Sequence, residues 1–262
     1  MADQTANPGG SRSLMRAGLV ASVLLGALSA CVTEQSGGIP GPAPDSTRIQ
    51  AHLDLARGYL EQRDWPRARK PIERALAIDP SHVESHVLQA LLYHAEDEVD
   101  LAEEHYLTAL QLEPDNSQAL NNYGSFLYAE GRYRDALEPL GRLVQNVNYR
   151  ARPQAFENLG LAYVQTGNLT AARSAFERAL GLNYRSPRAS LELADIAYQE
   201  GALAQALQHF DTFNRNARPT ARSLCMGLKL AVATENADEV ASYGLALKNL
   251  YPDQADQCQT KD

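Results

Sequence analysis

Basic residues are in deficit in this 262-residue chain: 24 Lys and Arg stand against 32 Asp and Glu, for a formal net charge of −8. Nucleic acid needs a basic surface to neutralise its phosphates, so that class of partner is excluded, as is broad adhesion to anionic lipid. Long apolar runs are nearly absent. Only Ala17 to Leu28 forms one, and its twelve residues fall short of a helical membrane span. No glycine-rich phosphate loop, nucleophile elbow or CxxC pair occurs, so neither a cofactor nor a small-molecule substrate is expected and an enzyme is disfavoured. Cysteine is scarce at three residues: Cys31, Cys225 and Cys258.

Arg12 and Arg16 precede the apolar run, and Leu28-Ser29-Ala30-Cys31 follows it. A positive stretch, a short apolar stretch and small residues form the pattern of an export signal, read here as residues 1–30. Small residues before a cysteine resemble a bacterial lipobox. The resemblance implies cleavage before Cys31, acylation of that residue, and a palmitate-type anchor. Val32 rather than Asp follows the cysteine, which by likeness to sorted lipoproteins favours the periplasmic face of the outer membrane. Met15 is an alternative start. Residues 31–45 then form a Gly- and Pro-rich tether, of which the fourteen residues after Cys31 reach about 45 Å when extended. Losing residues 1–30 removes two basic residues and one acidic one, so the exported chain is more acidic still.

From residue 46 to 252 the dominant feature is a 34-residue period. Leu55, Ala56, Tyr59, Ala68, Ile72, Ala75 and Pro80 recur in register as Ala90, Tyr93, Ala102, Tyr106, Ala109 and Pro114. Six copies start at residues 49, 83, 117, 153, 187 and 221. Small residues at positions 8 and 20 of each copy let two helices approach closely. Gly131, Gly167 and Gly201 all fall at position 15, where a helix ends in a left-handed residue. Ser81 and Glu84 predict a capping box at the start of the third helix. This spacing resembles the tetratricopeptide repeat and predicts an all-α solenoid of six antiparallel helix pairs in a right-handed superhelix. One step is 36 residues long, between copies three and four. It predicts a longer loop dividing the array into halves, either a hinge or a neutral insertion. Residues 253–262 read as a polar tail.

In that repeat type the first helices line the concave face, at positions 2, 5, 9 and 12. Those positions hold Leu53, Arg57 and Leu60 in copy one and Val87 and Leu91 in copy two. Four aliphatics there predict an exposed apolar stripe for a protein partner. Further along, Asn121, Glu157 and Tyr198 predict a more polar groove. His82 and His86 are four apart on one helix, as zinc ligands often are, but the sequence is not HExxH and no metal is assigned. Cys225 and Cys258 either pair in an oxidising compartment or remain a packed thiol and a tail thiol.

The segments NNYGSFLYAEGRYRDALEPL (121–140), FENLGLAYVQTGNLTAARSAFERAL (156–180) and ARSLCMGLKLAVATENADEVASYGLALKNLYP (221–252) resemble the type IV pilus biogenesis and stability lipoproteins. The degenerate last segment is the specific part. The family implies a pilotin, a lipoprotein that binds the pilus secretin subunit and supports its localisation and multimerisation in the outer membrane. Two rivals share the repeat architecture: a lipoprotein of the β-barrel assembly machinery, and a regulatory arm of a cell-wall enzyme.

If Cys31 carries the lipid, Cys31→Ser abolishes acylation and leaves the protein in the periplasm or as an uncleaved precursor. Membrane fractionation with intact-mass analysis checks this. An unacylated variant that stays in the outer membrane at the wild-type level without a bound partner would contradict the anchor.

Overall fold

Helices α1 (Asp45–Glu61) and α2 (Trp65–Ile78) open the described part of the chain, and five more pairs follow. These are α3 (Val83–Ala95) and α4 (Val99–Leu112), α5 (Ser117–Ala129) and α6 (Tyr133–Leu143), then α7 (Arg152–Gln165) and α8 (Leu169–Leu182). The last are α9 (Pro187–Gln199) with α10 (Leu203–Asn216) and α11 (Ala221–Ala233) with α12 (Ala237–Leu250), ending in a 3-10 helix, Pro252–Cys258. The computed structural model describes residues 43–258, so the export signal, Cys31 and most of the tether lie outside the described residues. Among the described residues there is no strand. None of their helices is long and apolar enough to cross a membrane.

Each pair forms because two small residues face each other. At position 8, a Cβ added to Gly160 would sit 2.7 Å from the Phe176 ring. One on Gly124 would meet Leu140 at 2.6 Å, and one on Gly227 would meet Tyr243 at 2.6 Å. Glycine therefore lets the ring or the isobutyl group lie on bare helix backbone. Phe176, Ile72, Tyr106 and Leu140, all at position 24, are fully buried in this way. The connection inside each pair is a tight turn with a left-handed residue at position 15. Gly131, Gly167 and Gly201 have φ of 72°, 78° and 75°. The same geometry recurs at Arg63, Asp97 and Glu235, where glycine is missing (φ 56°, 62° and 54°). The turn is thus imposed by the pair's packing, at a local cost of about 1–2 kcal/mol for a residue with a Cβ.

Two local expectations are corrected. The N-cap of α3 is His82, whose Nδ1 accepts from the Ser85 amide, while Ser81 turns back to the Asp79 carboxylate. No Ser81–Glu84 box forms, because His82 takes the cap position one residue later. The long step between copies three and four does not divide the array. A single apolar core runs from Val83 to Ile196 and includes Leu143, Val144, Ala155 and Phe156 on both sides of the junction. The extra residues shorten α6, and the loop is tied by Arg152, whose Nε donates to the Val144 carbonyl at 2.8 Å.

Inside repeat two, His86 and His105 join the helices α3 and α4. His86 Nε2 lies 2.9 Å from the Pro80 carbonyl, so that nitrogen must donate. His86 Nδ1 then accepts from His105 Nδ1 at 2.9 Å, and Tyr93 stacks on the His105 ring. Burial, and next the His86 charge, push the His105 pKa below its ordinary value, with Glu104 opposing.

Two outcomes follow from this packing. Gly160→Leu must displace Phe176 and lower stability by about 1–3 kcal/mol, read as a reduced denaturation midpoint; an unchanged midpoint would refute the packing register. For His105, the folded-state pKa lies below the unfolded value of about 6.5, so the unfolded chain binds the proton more readily. The stability it contributes is present above that pH and is lost as pH falls through it. His209, also lowered chiefly by burial, acts in the same direction. Between pH 7.5 and 5.5, then, His105→Phe should lose less stability than the wild type does, with pH values chosen about one unit either side of an unperturbed imidazole.

Candidate functional site

The structure offers two open surfaces. The larger is a cleft of about 550 Å³ on the first helices of repeats three to six. Its apolar floor includes Leu161 and Leu191, with Tyr128 on α5 and Ser125 beside it. Its polar wall comes from successive first helices. Arg222 at the start of α11 grips Glu192 of α9 with both guanidinium nitrogens, one at 2.7 Å, and stands 3.9 Å from Asp195. Glu192 is nearly inaccessible to water, so this pair answers a buried carboxylate. The hydrogen bond to Glu192 raises the Arg222 pKa further. Arg188, at the corresponding position of α9, is held more loosely: 3.5 Å from Asn158 Oδ1 and 3.9 Å from Glu157.

The second surface is at the other end, on repeat one. Leu55 and Tyr59 of α1 and Pro66, Arg67, Lys70, Pro71 and Arg74 at α2 enclose a cleft of about 260 Å³. Arg67 ties to Asp64 and lies over the Tyr59 ring, 5.2 Å from its centroid. Lys70 and Arg74 enter no ion pair among the described residues and are exposed.

The expected apolar stripe on the concave face is corrected by this geometry. Leu53 and Val87 are 0 % exposed. The first helices of neighbouring repeats touch directly, so Leu53 packs with Leu88 and Leu92 of α3. Leu60 and Leu91 are half-buried against the same core. Arg57 is engaged by Asp54 and Glu84. Glu157 is buried and accepts a hydrogen bond from the Ser186 hydroxyl. Asn121 is half-buried on α5, and Tyr198 packs partly into the core of repeats five and six. The residues that do form the concave cleft lie one or more turns away from most of these. The end cleft on α1 and α2 had no sequence signal other than being at the start of the array.

Cys225 and Cys258 are joined by a disulfide, with Cα atoms 5.2 Å apart. It holds the terminal 3-10 helix against α11, and Leu224, Leu247 and Cys258 form a small core there. Closing a loop of 33 residues is worth about 3–4 kcal/mol in the chain-entropy view. Among the described residues no three His, Cys, Asp or Glu side chains converge as metal ligands.

Comparison with known proteins agrees with this architecture. Models of the tetratricopeptide repeat match residues 53–112 and 157–218, and another matches residues 105–138. The type IV pilus assembly protein PilF of Pseudomonas aeruginosa is 39 % identical over 240 residues, 91 % of this chain and 94 % of that protein. Its solved structure superposes with a TM-score of 0.75, covering 79 % of this chain and 94 % of that one. The crystal structure of PilW, a widely conserved type IV pilus biogenesis factor, is 27 % identical with a TM-score of 0.70, covering 78 % of this chain and 94 % of its own.

Proposed function

Because the chain belongs to the tetratricopeptide-repeat family, and within it to the family of the type IV pilus assembly protein PilF, we propose that it is the pilotin of a type IV pilus system. In this reading it is an outer-membrane lipoprotein that binds the secretin subunit and promotes its localisation and multimerisation. The observation that carries the proposal is the extent of the likeness to PilF. It runs through nearly the whole chain, the degenerate sixth repeat included, at an identity that generic repeat proteins do not reach.

The physics of such a role is simple. Acyl chains on Cys31 supply membrane affinity at roughly 0.8 kcal/mol per buried CH₂. A tether then keeps the solenoid within a few tens of ångströms of the bilayer. A secretin subunit bound to the solenoid is held at the membrane at high effective concentration, which favours encounter with other subunits. No covalent step is needed. A rigid array with open faces and few titratable groups in its clefts suits binding better than catalysis.

Affinity isolation of the acylated protein from solubilised membranes tests this. The secretin subunit should co-isolate. A strain lacking the protein should show fewer secretin multimers and fewer surface pili. Recovery of β-barrel assembly components or a glycan-cleaving enzyme instead, with normal secretin multimers in the deletion strain, would refute the pilotin reading.

A further inference from the structure

In repeats two to six the first helix is packed against the second helix of the repeat before it. Contacts identify the face involved. Tyr93, at position 11 of repeat two, lies beneath the Arg69 guanidinium of α2, 5.7 Å from the ring centroid. Tyr123, at position 7 of repeat three, donates its hydroxyl proton to Glu103 of α4 at 2.8 Å and packs on Tyr106. Burial agrees: Gln89, Leu159 and Leu193, all at position 7, are 4 %, 6 % and 2 % exposed.

Repeat one presents the same face with no repeat before it. Leu55 at position 7 is 49 % exposed. Tyr59, the counterpart of Tyr93, is covered only by Arg67 of its own repeat. The cleft beside them is bordered by Lys70 and Arg74. These two free cations sit in a chain of net charge −8.

We propose that this open end binds an amphipathic, acid-flanked helix of the secretin subunit, seated where the second helix of a preceding repeat would lie. Its apolar side chains pack on Leu55 and Tyr59, and its carboxylates meet Lys70 and Arg74. The identity of the partner rests on the pilotin reading; the site and the helical class of ligand rest on the repeat geometry. A helix is specified because five equivalent faces in this molecule each take one. Acidic flanks are specified because the border is basic. A second copy of the chain fits poorly, since a two-fold contact through this face would oppose Lys70 and Arg74 with their own equivalents. The chain's own preceding stretch, residues 32–45, holds three prolines and three glycines and is poorly suited by composition to supply the helix.

The test places the photo-crosslinker p-benzoylphenylalanine at position 55 and, separately, at position 161 on the floor of the concave cleft. The full acylated protein is used in cells that make their own secretin. The crosslinked peptides are identified by mass spectrometry. The expected result is a secretin adduct at position 55, in a segment with helical apolar periodicity and acidic neighbours. Lys70→Glu with Arg74→Glu should cut that adduct by roughly tenfold, while the melting curve stays unchanged, and charge reversal in the captured segment should restore it. Secretin captured at 161 but not at 55 would overturn the inference and leave the pilotin reading standing. An adduct at 55 to a second copy, to the chain itself, or to an extended Pro-rich segment would also overturn it. No secretin at either position, together with none on affinity isolation, would sink both.

Discussion

A pair of antiparallel helices fifteen residues long cannot enclose its own apolar face, and everything in this structure follows from that limit. Each pair closes one side of itself through a contact between a small residue and a large one, as Phe176 does on Gly160. The other side has to be covered by a neighbour. The cores accordingly ignore repeat boundaries. Leu88 and Leu92 of repeat two belong with Ile49, Leu53 and Ile72 of repeat one, and one continuous core serves repeats two to five. Stability resides as much between repeats as within them, which explains why the two additional residues at the third junction are absorbed by a shortened helix and a tied loop. Parting the array there would open the core.

The same limit makes the two ends of the array special, and they are treated differently. At the C-terminal end, the 3-10 helix folds back beside α11 and α12 and substitutes for a further repeat. The disulfide to Cys225 secures it, and the Tyr251 hydroxyl donates to the Pro219 carbonyl at 3.0 Å. At the N-terminal end no described residue performs that service. Leu55 is left half in water at a position where the interior repeats hide their side chains. One end is closed within the chain and the other is available to something outside it.

What the sequence made legible follows from how local each feature is. The period, the small residues at positions 8 and 20, and the glycines at 131, 167 and 201 are visible because each acts within one helix pair. Arg63, Asp97 and Glu235 adopt the same left-handed turn without a residue that announces it, so only the period could point to them. The groove was less legible. Position 5 reads as apolar whether it faces solvent or the next first helix, and that depends on how closely neighbouring first helices approach. Leu53 and Val87 were therefore expected on a surface and lie in the core. The His86–His105 pair joins two helices across nineteen residues of sequence, a distance over which no spacing rule acts.

Charge helps decide which open surface has recognition to offer. Along the outside of the array, position 21 of one repeat pairs with position 14 or 16 of the next: Arg69 with Glu96, Glu103 with Arg132 and Arg173 with Glu200. Pairs of this exposure contribute about 0–1 kcal/mol each, too little to hold the array together, but they favour one register between repeats over another. In the concave cleft, Arg222 is committed to the buried Glu192. A ligand drawing the guanidinium away would leave an uncompensated carboxylate in the interior, at a cost of several kcal/mol. Arg188 keeps more freedom but has Glu157 within 3.9 Å. That cleft is therefore suited to apolar and hydrogen-bonding contacts. Lys70 and Arg74 carry no such obligation. They border an apolar face left over by the repeat geometry itself, so a partner gains both burial and charge neutralisation there without dismantling any contact the fold depends on.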